Sequence, residues 1–141
     1  MTQEAAELRR AVQHLARRLR DQRPRGPLTD VQRGLLAQVL DHGPQTAASM
    51  ARRAHTSAQA LTRPLAALVD GGYLERAPDP QDGRQHVLTV SALGWSMLRE
   101  DAAPRDAWLA DGLADLTEAE RSLLGIAARL LEGLARRPGP E

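Results

Sequence analysis

The chain of 141 residues contains no cysteine, no lysine, no phenylalanine and no asparagine. Without cysteine it can form neither a disulfide nor a thiolate nucleophile, and it cannot build a cysteine-based zinc site or a thiol redox sensor. No apolar run approaches the roughly 18–20 residues that a membrane span needs, and the N-terminus is too polar for a secretory signal. We therefore expect a cytoplasmic protein without membrane contact, of a length that suits one domain with added helices.

Charge is nearly balanced but unevenly distributed along the chain. All 19 basic residues are arginine, against 18 acidic residues, which leaves a formal net charge of +1. The first 45 residues hold 8 arginines against 5 acids, whereas the last 51 hold 6 against 9. A protein that held nucleic acid by bulk charge alone would be far more basic, because phosphate neutralisation dominates non-specific binding. Any DNA contact must therefore depend on a few well-placed arginines, doubled in a dimer.

Hydrophobic periodicity predicts four helices, a hairpin and two further helices. The first helix carries an apolar stripe on an arginine-rich cylinder, formed by Leu8, Val12, Leu15 and Leu19. The second begins at the N-cap Thr29 and ends in the turn around Gly43. Its predicted buried face consists of Val31, Leu35, Leu36, Val39 and Leu40. The third, short helix is capped by Gln45 or Thr46 and covers residues 47–53.

The fourth helix, capped by Thr56 or Ser57, separates two faces cleanly. At 100° per residue Leu61, Leu65 and Leu68 share one side, whereas Gln59 and Arg63 lie near the centre of the other. Pro64 lies inside this helix, where it removes one amide and costs about 3 kcal/mol. We expect a kinked helix there, and the alternative is two short helices.

After Gly72 the apolar period changes from helical spacing to two. Residues 73–77 and 85–90 are predicted to be strands, joined by a hairpin tip rich in proline, aspartate and glycine at 78–84. Ser91 then caps a fifth helix, which Pro104 is expected to kink or break. The last helix begins at a capping box formed by Thr117 and Glu120. Its predicted inner face consists of Leu123, Leu124, Ala127, Leu130, Leu131 and Leu134.

This order predicts a mainly α (α+β) fold, a winged helix-turn-helix with a two-stranded wing. The DNA-binding domain is expected at residues 28–90. Residues 1–27 and 91–141 are expected to supply dimerisation helices. These helices carry more leucine than one small domain can cover, which indicates that they bury one another across a two-fold homodimer.

The segment from the fourth helix through the hairpin resembles the MarR family of winged-helix transcriptional regulators. The residues that carry the resemblance are Ala60-Leu61-Thr62-Arg63, Leu65, Leu68, Gly72-Tyr73-Leu74-Glu75-Arg76, Asp79-Pro80-Gln81-Asp82-Gly83-Arg84 and Ser91-Ala92-Leu93-Gly94. The resemblance implies a homodimeric regulator of transcription, associated with the nucleoid, that binds double-stranded DNA. It further implies that a small aromatic effector often modulates DNA affinity. The family's peroxide-sensing branch requires a reactive cysteine, which this chain lacks.

The chemistry of the fourth helix agrees with major-groove reading. Arginine can grip two acceptors of guanine, and glutamine can pair with two groups of adenine, so Arg63 and Gln59 are candidate base readers. Ser57 and Thr62 carry short hydroxyls suited to phosphates or base edges. Arg52 and Arg53 are candidate phosphate clamps. The competing interpretation for each arginine is an ordinary solvated charge.

The hairpin tip supplies a second candidate contact. Asp82 can hold loop amides, and Gly83 permits a tight turn, so that Arg84 projects toward a narrow minor groove. The competing interpretation is an ion pair of Arg84 with Asp82 or Asp79.

Other site classes are weakly represented. The four histidines are scattered without zinc-ligand spacing, and no P-loop, nucleophile elbow or paired carboxylates are present, so neither a metal, a cofactor nor an enzymatic activity is expected. His14, Arg18 and Trp95 are the candidate effector-binding residues. Trp95 and Trp108 are more typical of a core or dimer-interface role. The alternative function is a winged-helix module that docks another protein and has lost DNA binding.

Overall fold

The computed structural model describes residues 1–138, so the end of the predicted C-terminal dimerisation segment, residues 139–141, lies outside the described residues. The elements in chain order are α1 (Thr2–Asp21), α2 (Asp30–His42), α3 (Ala47–Arg53), α4 (Ala58–Asp70), β1 (Leu74–Pro78), β2 (His86–Val90), α5 (Ala92–Ala114) and α6 (Glu118–Ala135). The predicted order of helices and hairpin is confirmed. In the described part of the chain, no helix is long and apolar enough to cross a membrane.

The chain divides into two compact units. The winged unit is Arg23–Pro104, and the terminal unit is Met1–Gln22 together with Arg105–Glu141. The winged unit therefore holds α2, α3, α4, both strands and the first half of α5, whereas the terminal unit holds α1, the rest of α5 and α6.

Side-chain caps fix where the helices of the winged unit begin. Thr29 and the Gln32 side chain form a reciprocal capping box at the start of α2, as a threonine followed three residues later by glutamine favours. Of the alternatives left by the sequence, Thr46 caps α3 and Ser57 caps α4, each through a hydroxyl that accepts a backbone amide. The turn between α3 and α4 places His55 in the left-handed region, at φ 50°.

The core of the winged unit lies between α2, α3, α4 and the inner face of the wing. Its fully buried side chains are Leu36, Met50, Leu68 and Leu74. The prediction that Val31 belongs to the buried face of α2 is wrong, because Val31 is 57% exposed. Leu28, which precedes the helix, is buried instead, so the buried apolar residues begin before the first turn of α2.

The wing is one antiparallel pair whose register joins Leu74 to Val90 and Pro78 to His86. The base of the wing is locked to α5 through Ser91. The Ser91 hydroxyl donates to the carbonyl of Gly72 and accepts the amide of Gly94. A Cβ at Gly94 would collide with the carbonyl of Tyr73, so the close approach of α5 to the strand requires glycine at this position.

Both helices with an interior proline are continuous. α4 runs through Pro64, so the alternative of two short helices is wrong. The missing amide would have bonded Ala60, an exposed residue whose carbonyl water can satisfy. α5 also runs unbroken through Pro104, and the expectation of a break there is wrong. Pro104 is exposed, which again leaves the affected backbone open to solvent.

The terminal unit contrasts with this core, because neither α1 nor α6 has a buried residue. The predicted inner face of α6 is therefore uncovered within a single chain, with Leu123 and Leu130 each 65% exposed. Within the unit, the Arg18 guanidinium lies 5.8 Å from the centroid of the Trp108 ring, a cation–π geometry.

α6 begins at the predicted capping box. The Thr117 hydroxyl accepts the Glu120 amide, and the Glu120 side chain accepts the Thr117 amide. Two hydrogen bonds from Thr117 to the Glu120 carboxyl lower the pKa of that carboxyl. The larger effect comes from the Thr117 backbone amide and the smaller from the Thr117 hydroxyl.

Candidate nucleic-acid interface

α4 presents one polar face to solvent because its apolar face is fixed in the core. Leu61, Leu65 and Leu68 are each at most 5% exposed, which sets the rotation of the helix about its axis. On the opposite side Gln59 and Arg63 are exposed, as the helical spacing predicts. Within residues 1–138 the Arg63 guanidinium has no acidic partner, so its hydrogen-bond donors are available to a ligand.

The two candidate hydroxyls of α4 are in different hydrogen-bonding states. The Ser57 oxygen accepts the amide of Ala60 at 3.2 Å, which leaves its own hydrogen free to donate to a phosphate oxygen. The Thr62 hydroxyl instead donates to the carbonyl of Ala58 at 3.2 Å, one turn earlier in the same helix. Ser57 is therefore the better-prepared donor of the two.

The wing tip is held by two aspartates that bind loop amides. Asp79 accepts the amide of Gln81 at 2.9 Å, and Asp82 accepts the amide of Arg84 at 3.1 Å. In the described chain neither carboxylate forms an ion pair with the Arg84 guanidinium, which is exposed. Gly83 lies between Asp82 and Arg84, and a Cβ added there would meet no atom within 4 Å.

Arg52 and Arg53 occupy the last turn of α3, and both are exposed. Neither has an acidic partner in the described chain. The winged unit thus brings together Ser57, Gln59, Thr62 and Arg63 on α4, Arg52 and Arg53 on α3, and Asp82, Gly83 and Arg84 at the wing tip.

A cleft of about 600 Å³ lies between α3, α4 and the wing. Its polar lining consists of Thr46, Thr62, Arg76, Gln85 and His86, and small or apolar residues line the rest. No acidic residue is among those that line it. Arg76 was not singled out as a site residue from the sequence, although its place two residues after the apolar Leu74, on the same face of the predicted strand, was a detectable signal.

The candidate effector residues fall in different units. His14 and Arg18 belong to α1 of the terminal unit, where His14 is exposed and Arg18 lies over Trp108. Trp95 belongs to the winged unit and lines a cavity of about 170 Å³. Ligand pockets usually measure roughly 300–1,000 Å³. In the described residues, no group of three or more histidine, aspartate and glutamate side chains could hold a metal ion.

The architecture of the winged unit defines a class of protein. A helix-turn-helix whose second helix exposes a polar face, followed by a two-stranded wing with a projecting arginine, is a winged-helix transcriptional regulator. A profile of the MarR family matches residues 27–85. The chain is 36% identical over 130 residues to an uncharacterized HTH-type transcriptional regulator of Mycobacterium bovis, covering 92% of this chain and 91% of the relative.

Solved structures agree with this match. A transcriptional regulator from Pseudomonas aeruginosa superposes with a TM-score of 0.79 at 32% identity, over 96% of each chain. A MarR family protein from Bacillus stearothermophilus has the same fold, with a TM-score of 0.79 at 18% identity over 97% and 99% of the two chains. The chain belongs to the MarR family, whose members and relatives found here are transcriptional regulators rather than enzymes.

Proposed function

We propose that this MarR-family chain is a transcriptional repressor that binds a pseudo-palindromic operator as a homodimer. One observation carries the proposal: the winged unit exposes two unpaired guanidinium groups, Arg63 on the outer face of α4 and Arg84 at the wing tip. Arg63 and Gln59 enter the major groove and contact base edges. Arg84 enters the adjacent minor groove, and Ser57, Arg52 and Arg53 contact phosphates.

The exposed leucines of the terminal unit support the homodimer. Leu123, Leu130 and Leu134 are each at least half exposed in the single chain, and they share one side of α6. A second copy related by a two-fold axis covers such a face with the same face of its own. The dimer then presents two α4 helices about 34 Å apart, to successive major grooves of one side of the duplex.

Repression requires fewer interactions of this protein than activation does. A dimer that occupies two half-sites blocks access of other proteins to the same DNA, whereas activation needs an additional protein contact. An effector that favours one separation of the two α4 helices over another would change operator affinity by that difference alone. Regulation by a small aromatic molecule is what the family suggests, with Trp95 of the winged unit and His14 and Arg18 of the terminal unit as its candidate contacts.

The test is a gel shift of the full chain on the promoter fragment next to its own gene, titrated with salt. We expect a shift whose affinity falls steeply as salt rises, because phosphate contacts release counterions. No shift at low salt would favour the alternative, a protein-docking winged helix.

Arg84→Ala sharpens the test. We expect it to weaken operator binding more than tenfold while sedimentation still gives a dimer, because the wing tip lies outside the terminal unit. Retained affinity would remove the wing from the mechanism. Arg129→Ala, which removes the same charge from α6, is the matched control and should bind nearly as the parent does.

A further inference from the structure

We propose that the Arg76 guanidinium binds a phosphodiester of the operator backbone, within the cleft between α4 and the wing. The inference rests on the proposed function and adds a DNA contact that the sequence patterns did not assign. It starts from an anomaly in the wing, where a charged residue occupies the face that the strand turns toward the core.

Alternation along β1 identifies that face. Leu74 on β1 is 1% exposed, and Leu88 on β2 is 3% exposed, so both belong to the inner face of the wing. Arg76 is two residues after Leu74 and pairs with Leu88, so it belongs to the same inner face. An apolar residue at this position would extend the core. An exposed arginine there instead turns the outer end of the inner face into a cationic wall of the cleft.

The electrostatics of the cleft favour an anion. Within residues 1–138 the Arg76 guanidinium has neither an ion pair nor a hydrogen-bond partner, and the cleft contains no carboxylate. His86 is on the same side of the wing, opposite Pro78. A guanidinium suits a phosphate because its planar fork of donors matches two oxygens at once.

The place of the cleft identifies which anion. The major and minor grooves of a duplex are separated by a single sugar–phosphate backbone. If α4 lies in the major groove and the wing tip lies in the minor groove, the backbone between these grooves must cross the space between α4 and the wing. That space is the cleft of about 600 Å³ between α3, α4 and the wing. Arg76 lies on its wall.

The test compares Arg76→Ala with the parent protein in salt titrations on the operator. Each dimer loses two phosphate contacts, so the slope of log affinity against log salt should fall in magnitude by about two. Affinity at 0.15 M salt should fall by about tenfold, by a similar factor on operator and on mismatched duplexes, because a phosphate contact carries no sequence information. Arg76→Lys should keep the slope and recover part of the affinity.

Controls separate this inference from the proposed function and from misfolding. Arg99→Ala removes an equal charge from α5 of the same unit, outside the cleft lining, and should change the slope far less. Melting curves of each variant establish that the fold is intact. Parent protein that binds the operator, with Arg76→Ala behaving like the Arg99→Ala control, overturns this inference alone. Parent protein that binds no duplex overturns both.

Two further outcomes would also overturn it. A changed base preference in Arg76→Ala, measured by selection from random duplexes, would make Arg76 a base reader instead. A rise in the melting temperature of the parent with millimolar inorganic phosphate at constant ionic strength, lost in Arg76→Ala although this variant keeps the parent's salt slope on the operator, would assign the cleft to a free anion.

Discussion

The two units of this chain contain similar types of residue, but they differ in whether a single chain buries its apolar side chains. The winged unit buries Leu36, Met50 and Leu68 completely without any partner chain. In the terminal unit, α1 and α6 bury no residue, although their leucines recur at helical spacing. Leucine content therefore does not distinguish the units. What distinguishes them is whether neighbouring elements of the same chain close over the apolar face.

This difference separates two tasks. The proposed recognition groups, Arg63 and Arg84, lie on the unit that folds around its own core, so their placement does not depend on assembly. The terminal unit instead exposes an apolar surface, and in the proposed homodimer the stability of this unit depends on the concentration of a second copy. We expect mutations in the two units to differ in whether their effects depend on protein concentration.

The largest expected effect belongs to the core of the winged unit. Leu68→Ala should lower the free energy of unfolding by about 2–5 kcal/mol, because it removes a fully buried side chain and leaves a cavity. Chemical denaturation at several protein concentrations measures it. We expect the loss to be the same at each concentration, and a loss that disappears at high concentration would contradict the assignment of this core to a single chain.

The next effect concerns a buried ion pair that closes α2 against the first half of α5. The Arg33 Nε lies 2.9 Å from the Asp101 carboxylate, and the two side chains are 14% and 7% exposed. Asp101→Ala leaves Arg33 without this partner and should cost about 2 kcal/mol. Adding Arg33→Leu should restore part of the loss, because the poorly exposed guanidinium, whose other ion pair is with the exposed Asp30, is then removed as well. Equal stability of the parent and Asp101→Ala, measured by denaturation, would refute this role.

A smaller effect in free energy separates the terminal unit from the winged unit. Leu130→Asp puts a carboxylate on the exposed apolar face of α6 and should weaken dimerisation at least tenfold, which is about 1.4 kcal/mol. Sedimentation velocity measures the shift to monomer, and the melting of the winged unit should not change. Arg129→Asp introduces the same group on the polar side of α6 as the control. A dimer that tolerates Leu130→Asp would place the interface elsewhere.

The smallest effect is the pH dependence of the α6 cap. Hydrogen bonds from Thr117 lower the pKa of Glu120 below its ordinary value of 4.5, so the ionised form stabilises the folded state. This contribution is complete above pH 4.5 and is lost as pH falls through the lowered pKa. Helix content of the parent and of Glu120→Gln, followed by circular dichroism through this range, should differ in slope. Identical profiles would show that the cap contributes nothing measurable.

Local chemistry made most of the fold predictable from sequence. Thr29 and Thr117 begin capping boxes whose partners lie three residues away, and the change from helical to alternating periodicity after Gly72 marked the wing. The continuity of α4 through Pro64 was the favoured prediction, whereas the sequence left a kink or a break open for α5 at Pro104. Continuity depends on whether solvent reaches the freed carbonyls, which is a property of the folded surface.

Features that join distant segments were beyond the sequence patterns. Arg33 and Asp101 are 68 residues apart, and nothing in either local pattern indicates that they meet. Val31 fitted the periodicity of α2 but is 57% exposed, whereas Leu28, which lies before the helix, is buried. The candidate interface could be predicted in part from the sequence. Arg63 and Arg84 follow from the helix face and the family motif, whereas the cleft at Arg76 depends on how the wing meets α4.

The hydrogen bonds that Asp79 and Asp82 accept from loop amides have a consequence for the kinetics of DNA association. A loop that becomes ordered only on binding loses conformational entropy at that moment, which weakens affinity and slows productive docking. Here the turn already has its internal hydrogen bonds in the free protein. The wing can therefore dock as a preformed element, and little of its contact energy is spent on ordering the loop.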